Sequence, residues 1–483
     1  MKRMIKQLYV AGIVFLLGLT SCNDWLDVQS KIDIKEDGMF DSESGYWDAL
    51  VGVYAGMGST SLYGTALTMG TLDIVACNYD IDYGYFDEGT YQLSRYNYLS
   101  TNTRPRIDAI WSGMYNLIAN DNNVLRKLEG ADKGMFEGDN YNLIKGEALA
   151  LRAYLHFDLL RMFGKSFAMD PQAEAIPYVT EFGKDKTPKS TVNEVVEKAL
   201  KDLKQAVVCL KNDPVQDKNF ETENIYLLYR QNRMNYYAAR ALMARIYMYR
   251  GTEEDKENAF NIADSLINEQ NVFSLLMSNQ MGTNRIMSGE IFFSLYKDDL
   301  SDVFKNNYSY SLDQYGNLQR TGKLCVRKDV IDDIFNTAQW GYVRDGRLKN
   351  QFVDSYAGYY FLTKYEQRDG DNQPARCRIP MLRLSEMYYI AAECTKDPEY
   401  AAELMGDLWR ARGYGMPDLG INTIEDAKEF VAKEYRREFY GEGQLFYYYK
   451  RNHTSSIPNC KVDITDKLEQ VYVFPIPEDE KNF

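Results

Sequence analysis

The chain predicts a mainly α protein, an α+β fold in which tetratricopeptide-like helix pairs support an irregular, loop-rich half. Three observations lead there. From Ile144 the apolar positions run Ile144, Ala148, Leu151, Leu155, Leu159 and Met162, steps of three and four that line one helix face, and Gly164 supplies the stop. Two further stretches are built alike: residues 241–249 turn at Gly251 into a segment carrying Ala259 and Ala263, and residues 387–393 turn at Asp397-Pro398 into one carrying Ala401, Ala402 and Leu404. Small residues at close contacts, with tyrosines one turn away, suit a helix-pair array, although a strict repeat of roughly 34 residues is absent. Finally, nothing alternates as a βαβ unit does.

Taken in order, the chain opens on a segment built for export. Lys2, Arg3 and Lys6 precede an apolar run from Leu8 to Leu19 that is too short to span a bilayer, and the run ends in Leu19-Thr20-Ser21-Cys22. This ending looks like a bacterial lipobox, so residues 1–21 are expected to be a lipoprotein signal peptide. Cys22 is then the acylated (palmitate-bearing) first residue of the mature protein, and residues 22–483 form a single domain. Cleavage removes three positive charges and takes the formal charge from -14 to -17. So acidic a body lacks the basic face that nucleic acid requires. The expected helices lie at about 106–129, 144–164, 191–211, 230–250, 256–269, 381–395, 399–412 and 425–440, concentrated in about 106–270 and 380–440. Strands are expected at 291–296 and 472–476.

Beyond Cys22 there are cysteines at 77, 209, 325, 377, 394 and 460, none in a Cys-x-x-Cys spacing, and the only histidines are His156 and His453, which argues against zinc. Cys209 and Cys394 read as small hydrophobes within helices, and His156 as structural.

Four internal segments then resemble one family. They are Trp111-Ser112-Gly113-Met114-Tyr115-Asn116 with Asn120, Asn123 and Leu125; Lys145-Gly146-Glu147-Ala148 through Leu151-Arg152-Ala153-Tyr154 with Phe157-Asp158-Leu159 and Phe163-Gly164; Leu382-Arg383-Leu384-Ser385-Glu386 with Ala391-Ala392-Glu393; and Glu434-Tyr435-Arg436-Arg437-Glu438-Phe439 followed by Gly441-Glu442-Gly443 and Lys450-Arg451. With Cys22-Asn23-Asp24-Trp25 at the mature start and Pro475-Ile476-Pro477 near the end, the chain resembles the SusD/RagB-like lipoproteins of the Bacteroidota. It departs from their pattern at Leu445 and Tyr448. The resemblance implies a nutrient-binding lipoprotein on the exterior of the outer membrane. It also implies a partner, a SusC-like TonB-dependent transporter, and a ligand that is most often oligosaccharide and sometimes peptide.

The irregular segments fit that implication. Between Asn78 and Tyr98 stand Tyr79, Tyr83, Tyr85, Phe86 and Tyr91 among Asp80, Asp82 and Asp87, without helical periodicity; a second cluster comprises Tyr296, Tyr308, Tyr310 and Tyr315. Rings offer flat faces to a sugar's C-H surface while amide and carboxylate groups bond its hydroxyls. The expected ligand residues are therefore Asn78, Tyr79, Asp80, Tyr83, Tyr85, Tyr296, Tyr308, Tyr310 and Tyr315. Packing of the scaffold is the alternative role for any of these tyrosines.

Enzyme signatures fail for the most part. Gly164-Lys165-Ser166 lacks the earlier glycine of a phosphate loop, and Glu434 and Glu438 flank Arg436 and Arg437 as a surface or interface ion-pair network would. No catalytic residue and no cofactor are expected. Residues 80–84 and 369–372 are rich in oxygen donors but lack an EF-hand's spacing; calcium is the alternative to no cofactor that they suggest. A surface glycoside hydrolase using Asp80 and Asp87 is the alternative from another class.

Overall fold

The computed structural model describes residues 38–340, 345–415 and 418–480; the expected signal peptide 1–21 and Cys22 lie outside them. The chain divides into two compact units, residues 1–46 and 47–483. In the described part of the first, Phe40 packs edge-on against Tyr46, with 4.8 Å between ring centroids.

The second unit is mainly helical. Its principal helices are α1 (Arg104–Glu129), α2 (Asn140–Phe163), α3 (Val192–Cys209), α4 (Tyr236–Arg250), α5 (Glu253–Asn268), α6 (Leu384–Cys394), α7 (Pro398–Ala411) and α8 (Ile424–Glu438). Several starts have a local cause. Thr191, Thr252 and Thr423 form capping boxes with Glu194, Asp255 and Asp426, and Asp397 caps α7 ahead of Pro398. From α1 to α7 each helix packs on the next, and α8 packs on α6 and α7.

Local chemistry also moves two expected boundaries and removes one expected strand. The helix expected from 230 begins at Tyr236, because Asn235 caps it by accepting from the Ala238 N–H at 2.9 Å. The helix expected from 381 begins at Leu384, since β2 (Arg378–Arg383) is a strand that pairs antiparallel with β1 (Ile291–Tyr296). The strand expected at 472–476 does not form. Residues Leu468–Tyr472 are a short helix, and Phe474 packs among Tyr98, Phe163 and Phe446 while its N–H is bonded to the Met162 carbonyl.

The periodicity of α2 predicts one buried face, yet the helix is enclosed on all sides from Leu143 to Phe163 except at Lys145. Its polar side chains must therefore be satisfied inside the protein. Arg152 holds Asp202 through two 2.7 Å bonds, Glu147 pairs with Arg230, and Asp158 accepts from Tyr63 at 2.8 Å. His156 accepts from the Val179 N–H through Nε2 at 2.9 Å and lies 2.8 Å from the Arg152 carbonyl through Nδ1, so the proton resides on Nδ1. Burial pushes its pKa down to about 3. At the end of α2 the buried Lys450 ammonium donates to the carbonyls of Arg161 and Gly164 at 2.7 and 2.6 Å, satisfying a helix C-terminus that has no water to bond.

A second buried network joins α6, α7 and α8 to the irregular half. The Glu438 carboxylate accepts from Arg347 at 2.9 Å, Arg383 at 2.7 Å and Arg412 at 2.6 and 3.0 Å. Around them Arg347 pairs with Asp345 and Glu434, Arg412 with Glu290, Arg437 with Glu434, and Lys364 with Glu442. Five cations thus face five anions, all buried. The pair Glu434 and Glu438 is interior, a correction to the surface or interface placement that its spacing suggests.

Candidate functional site

The two tyrosine-rich segments meet beside a three-stranded antiparallel sheet in which Tyr359–Leu362 lies between Cys325–Arg327 and Phe352–Asp354. Residues 78–81 run along the sheet's edge and are sealed there. The Asp80 N–H donates to the Cys325 carbonyl at 2.8 Å. Its carboxylate takes the Arg327 N–H at 2.8 Å and the Arg327 guanidinium at 2.6 Å, leaving Asp80 1% exposed. Tyr79 and Tyr308 are bonded hydroxyl to hydroxyl at 2.9 Å and sit over Asp73. Asp73 in turn accepts from the Gly441 and Gly443 N–H groups at 2.6 and 3.0 Å.

Asn78, Tyr79, Asp80 and Tyr308 are therefore a correction to the expected ligand set: burial gives their side chains no open face for a sugar, and they form the support beneath the surface. A site alternating exposed rings with inward-pointing ones is the reason. Sequence composition counts both kinds alike.

The chain emerges at Asp82 and turns at Gly84, whose φ of 86° falls in the left-handed region that glycine adopts without strain. That turn lifts Tyr83 and Tyr85 outward, Tyr83 being 75% exposed and packed edge-on against Tyr91. Arg320 lies between two rings, its guanidinium carbon 3.7 Å from the Tyr85 centroid and 4.5 Å from that of Tyr359, and it bonds Asp82 at 3.0 Å. The Gly322 N–H donates to the Tyr85 carbonyl at 2.7 Å, locking the second segment to the first. Burial alone would raise the Asp82 pKa, but Lys461 at 2.6 Å and Arg320 outweigh it and hold the carboxyl below its ordinary range.

Next to these rings opens a cleft of about 540 Å³ lined by Phe86, Asp87, Thr90, Arg106, Asn307 and Leu324 among others. Asp87 caps the Glu88–Leu93 helix and pairs with Arg106 at 2.5 Å, while Arg106 also donates to Thr90 at 2.8 Å. Hydrogen bonds from Thr90 and the Arg106 charge outweigh burial, so Asp87 too is held below the carboxylate range. The cleft thus offers an apolar wall with fixed donors and acceptors, the chemistry that recognises vicinal hydroxyls.

The remaining expected residues separate. Tyr310 stacks on Phe361 at 4.7 Å, Tyr315 stands 80% exposed at the tip of the hairpin formed by Ser311–Leu312 and Leu318–Gln319, and Tyr296 ends β1. Phe86 belongs to the aromatic segment already named, though not to the expected ligand set; Arg320, Tyr359 and Arg106 come from separate stretches with no common spacing, and only the tertiary pairing brings them to one face. The hydrolase reading meets two obstacles. Asp80 is sealed by cations, and Asp87 is held ionised, opposite to the raised pKa a proton donor needs. Three of the carboxylates proposed for calcium are engaged by cations, Asp80 by Arg327, Asp82 by Lys461 and Asp371 by Arg285. Among the described residues no three His, Cys, Asp or Glu side chains are grouped to hold a metal ion.

The helical array thus carries a loop-built surface of rings and fixed polar groups, and the comparisons supply its relatives. Residues 24–248 match the SusD-like family model described as starch-binding and associating with the outer membrane, and residues 304–471 match the SusD family model. A SusD superfamily protein from Bacteroides vulgatus is 24% identical with a TM-score of 0.68, covering 91% of this chain and 96% of its own. A SusD homolog from Bacteroides thetaiotaomicron is 17% identical with a TM-score of 0.70, covering 94% and 97%. A laminarin-binding SusD-like protein is 19% identical with a TM-score of 0.63, covering 85% and 92%. No curated protein matches the chain. The chain belongs to the SusD/RagB-like proteins.

Proposed function

We propose that this protein is a non-catalytic lipoprotein that binds oligosaccharide on the exterior of the outer membrane and delivers it to a SusC-like TonB-dependent transporter. The observation that carries the reading is the pair of exposed rings Tyr83 and Tyr85, with Tyr85 and the half-buried Tyr359 braced on the buried Arg320, beside a cleft whose polar groups are already held in place by Asp87 and Arg106. Rings whose rotamers are fixed by packing cost little entropy on binding, which suits a surface that must capture a flexible, strongly hydrated chain. The laminarin-binding relative and the family's starch-binding description support glycan as the ligand class. In this reading residues 1–21 are removed and Cys22 carries the lipid, and the tether keeps the protein at high effective concentration near its transporter.

Calorimetry against neutral and acidic oligosaccharides, with a peptide mixture alongside, tests the assignment. Binding of glycan without release of shorter products supports it; binding of peptides alone, or catalytic turnover, overturns it. Recovery of a large transporter barrel with the protein in mild detergent tests the partner.

A further inference from the structure

We infer that Arg378, flanked by Tyr229 and Tyr296, forms an acidic-sugar subsite that receives the carboxylate of a uronate residue. This rests on the glycan-binding reading and narrows the class of glycan.

The observation is an arginine without a counter-ion. In the antiparallel pairing of β1 with β2, Tyr296 stands directly opposite Arg378, so the two side chains share one face of the ribbon. Arg378 is only 8% exposed, and among the described residues its side chain makes no hydrogen bond and no ion pair, while its guanidinium reaches the surface. The buried arginines of the network around Glu438, by contrast, each have a carboxylate at hydrogen-bond distance. Burial draws the Arg378 pKa below the ordinary arginine value, and the phenols of Tyr229 and Tyr296 are the ionisable groups that act on it. A guanidinium kept partly desolvated and unpaired, in a chain of net charge -14, is arranged for an anion that arrives from outside.

The flanking rings are rigidly presented. Tyr229 is 68% exposed with a φ of 52°, a left-handed conformation that costs a non-glycine residue energy and persists only when its surroundings enforce it. The enforcement is visible. Its neighbour Arg230 is buried against Asp213 at 2.8 and 2.9 Å and against Glu147. The following turn is fixed to β1 through Ser294, whose hydroxyl lies 3.2 Å from the Gln231 carbonyl and 3.0 Å from Asn232 Oδ1. Tyr296 is 59% exposed on the other side. Two open phenol rings beside a planar five-donor group match a pyranose ring bearing a carboxylate: the rings take its C-H face and the fork takes both oxygens.

Titration calorimetry on the intact chain with galacturonate, glucuronate and mannuronate oligomers, each beside its neutral methyl ester, is the test. At least one free acid should bind about tenfold or more tighter than its ester, with the preference shrinking as salt rises. Arg378→Gln should erase the preference by weakening the free acid far more than the ester, and Tyr229→Ala, a surface change, should weaken both forms. Equal affinity for acid and ester, or a preference that survives Arg378→Gln in a folded variant, overturns the subsite and leaves the glycan reading intact. Binding of carboxyl-terminal peptides through Arg378 with no glycan binding overturns both.

Discussion

Replacing Glu438 with glutamine should destabilise the protein more than any single surface charge change. The carboxylate is the meeting point of Arg347, Arg383 and Arg412, all essentially without solvent exposure, and these cations hold its pKa well below the ordinary glutamate value despite burial. In Glu438→Gln the five buried cations face four anions, and one guanidinium donor is set against an amide N–H. Breaking one partner of a buried pair costs about 3–5 kcal/mol, because the charge left behind cannot be rehydrated. With an unfolding entropy of about 2.1 cal/mol/K per residue over the roughly 440 residues of the second unit, that corresponds to a fall of about 3–5 °C in melting temperature. Differential scanning calorimetry at neutral pH measures it, with Glu425→Gln, at an exposed i,i+3 pair with Lys428, as a control expected to melt like wild type. The pH dependence has a definite sign: a depressed carboxyl stabilises above its unfolded value of about 4.5, and the contribution fades as pH falls below that. A Glu438→Gln protein melting within 1 °C of wild type would refute the view that this network holds the helical and irregular halves together.

Two buried titratable groups should give opposite pH slopes. His156, held near 3, contributes stability above about 6.5 that is lost as pH falls towards 3, so His156→Gln should flatten the acid side of a plot of melting temperature against pH. Asp73, pushed up to about 7 by burial, contributes stability below about 3.8 that is lost as pH rises through 7; Asp73→Asn should remove that decline. For binding, Tyr85→Ala is expected to cost roughly 1–3 kcal/mol in calorimetry, as stacking platforms lose per ring, with unchanged circular dichroism. Tyr79→Ala should instead act through stability, because it empties a buried volume, at about 3–5 kcal/mol in denaturant titration. Finally, Cys22→Ala should release the protein from outer-membrane fractions; sedimentation of the variant with membranes after a salt wash would overturn the lipid anchor.

Helix identity was legible in the sequence because its causes are local: threonine and aspartate caps, the three-and-four spacing through 144–162, and alanines at helix contacts act within a few residues. The family resemblance was legible for the same reason, in short ordered segments. Tertiary structure decided what those segments do. Glu434 and Glu438 are one turn apart on any helix, but only the arrival of Arg347, Arg383 and Arg412 from three other elements makes them interior. The tyrosines divide in the same way. Tyr79 and Tyr83 are four residues apart with similar neighbours, and the edge of the sheet at Cys325 seals one while the turn at Gly84 exposes the other. Periodicity encodes a helix's own apolar stripe; which ring keeps an open face depends on pairings between residues far apart in the chain, and composition carries no record of those.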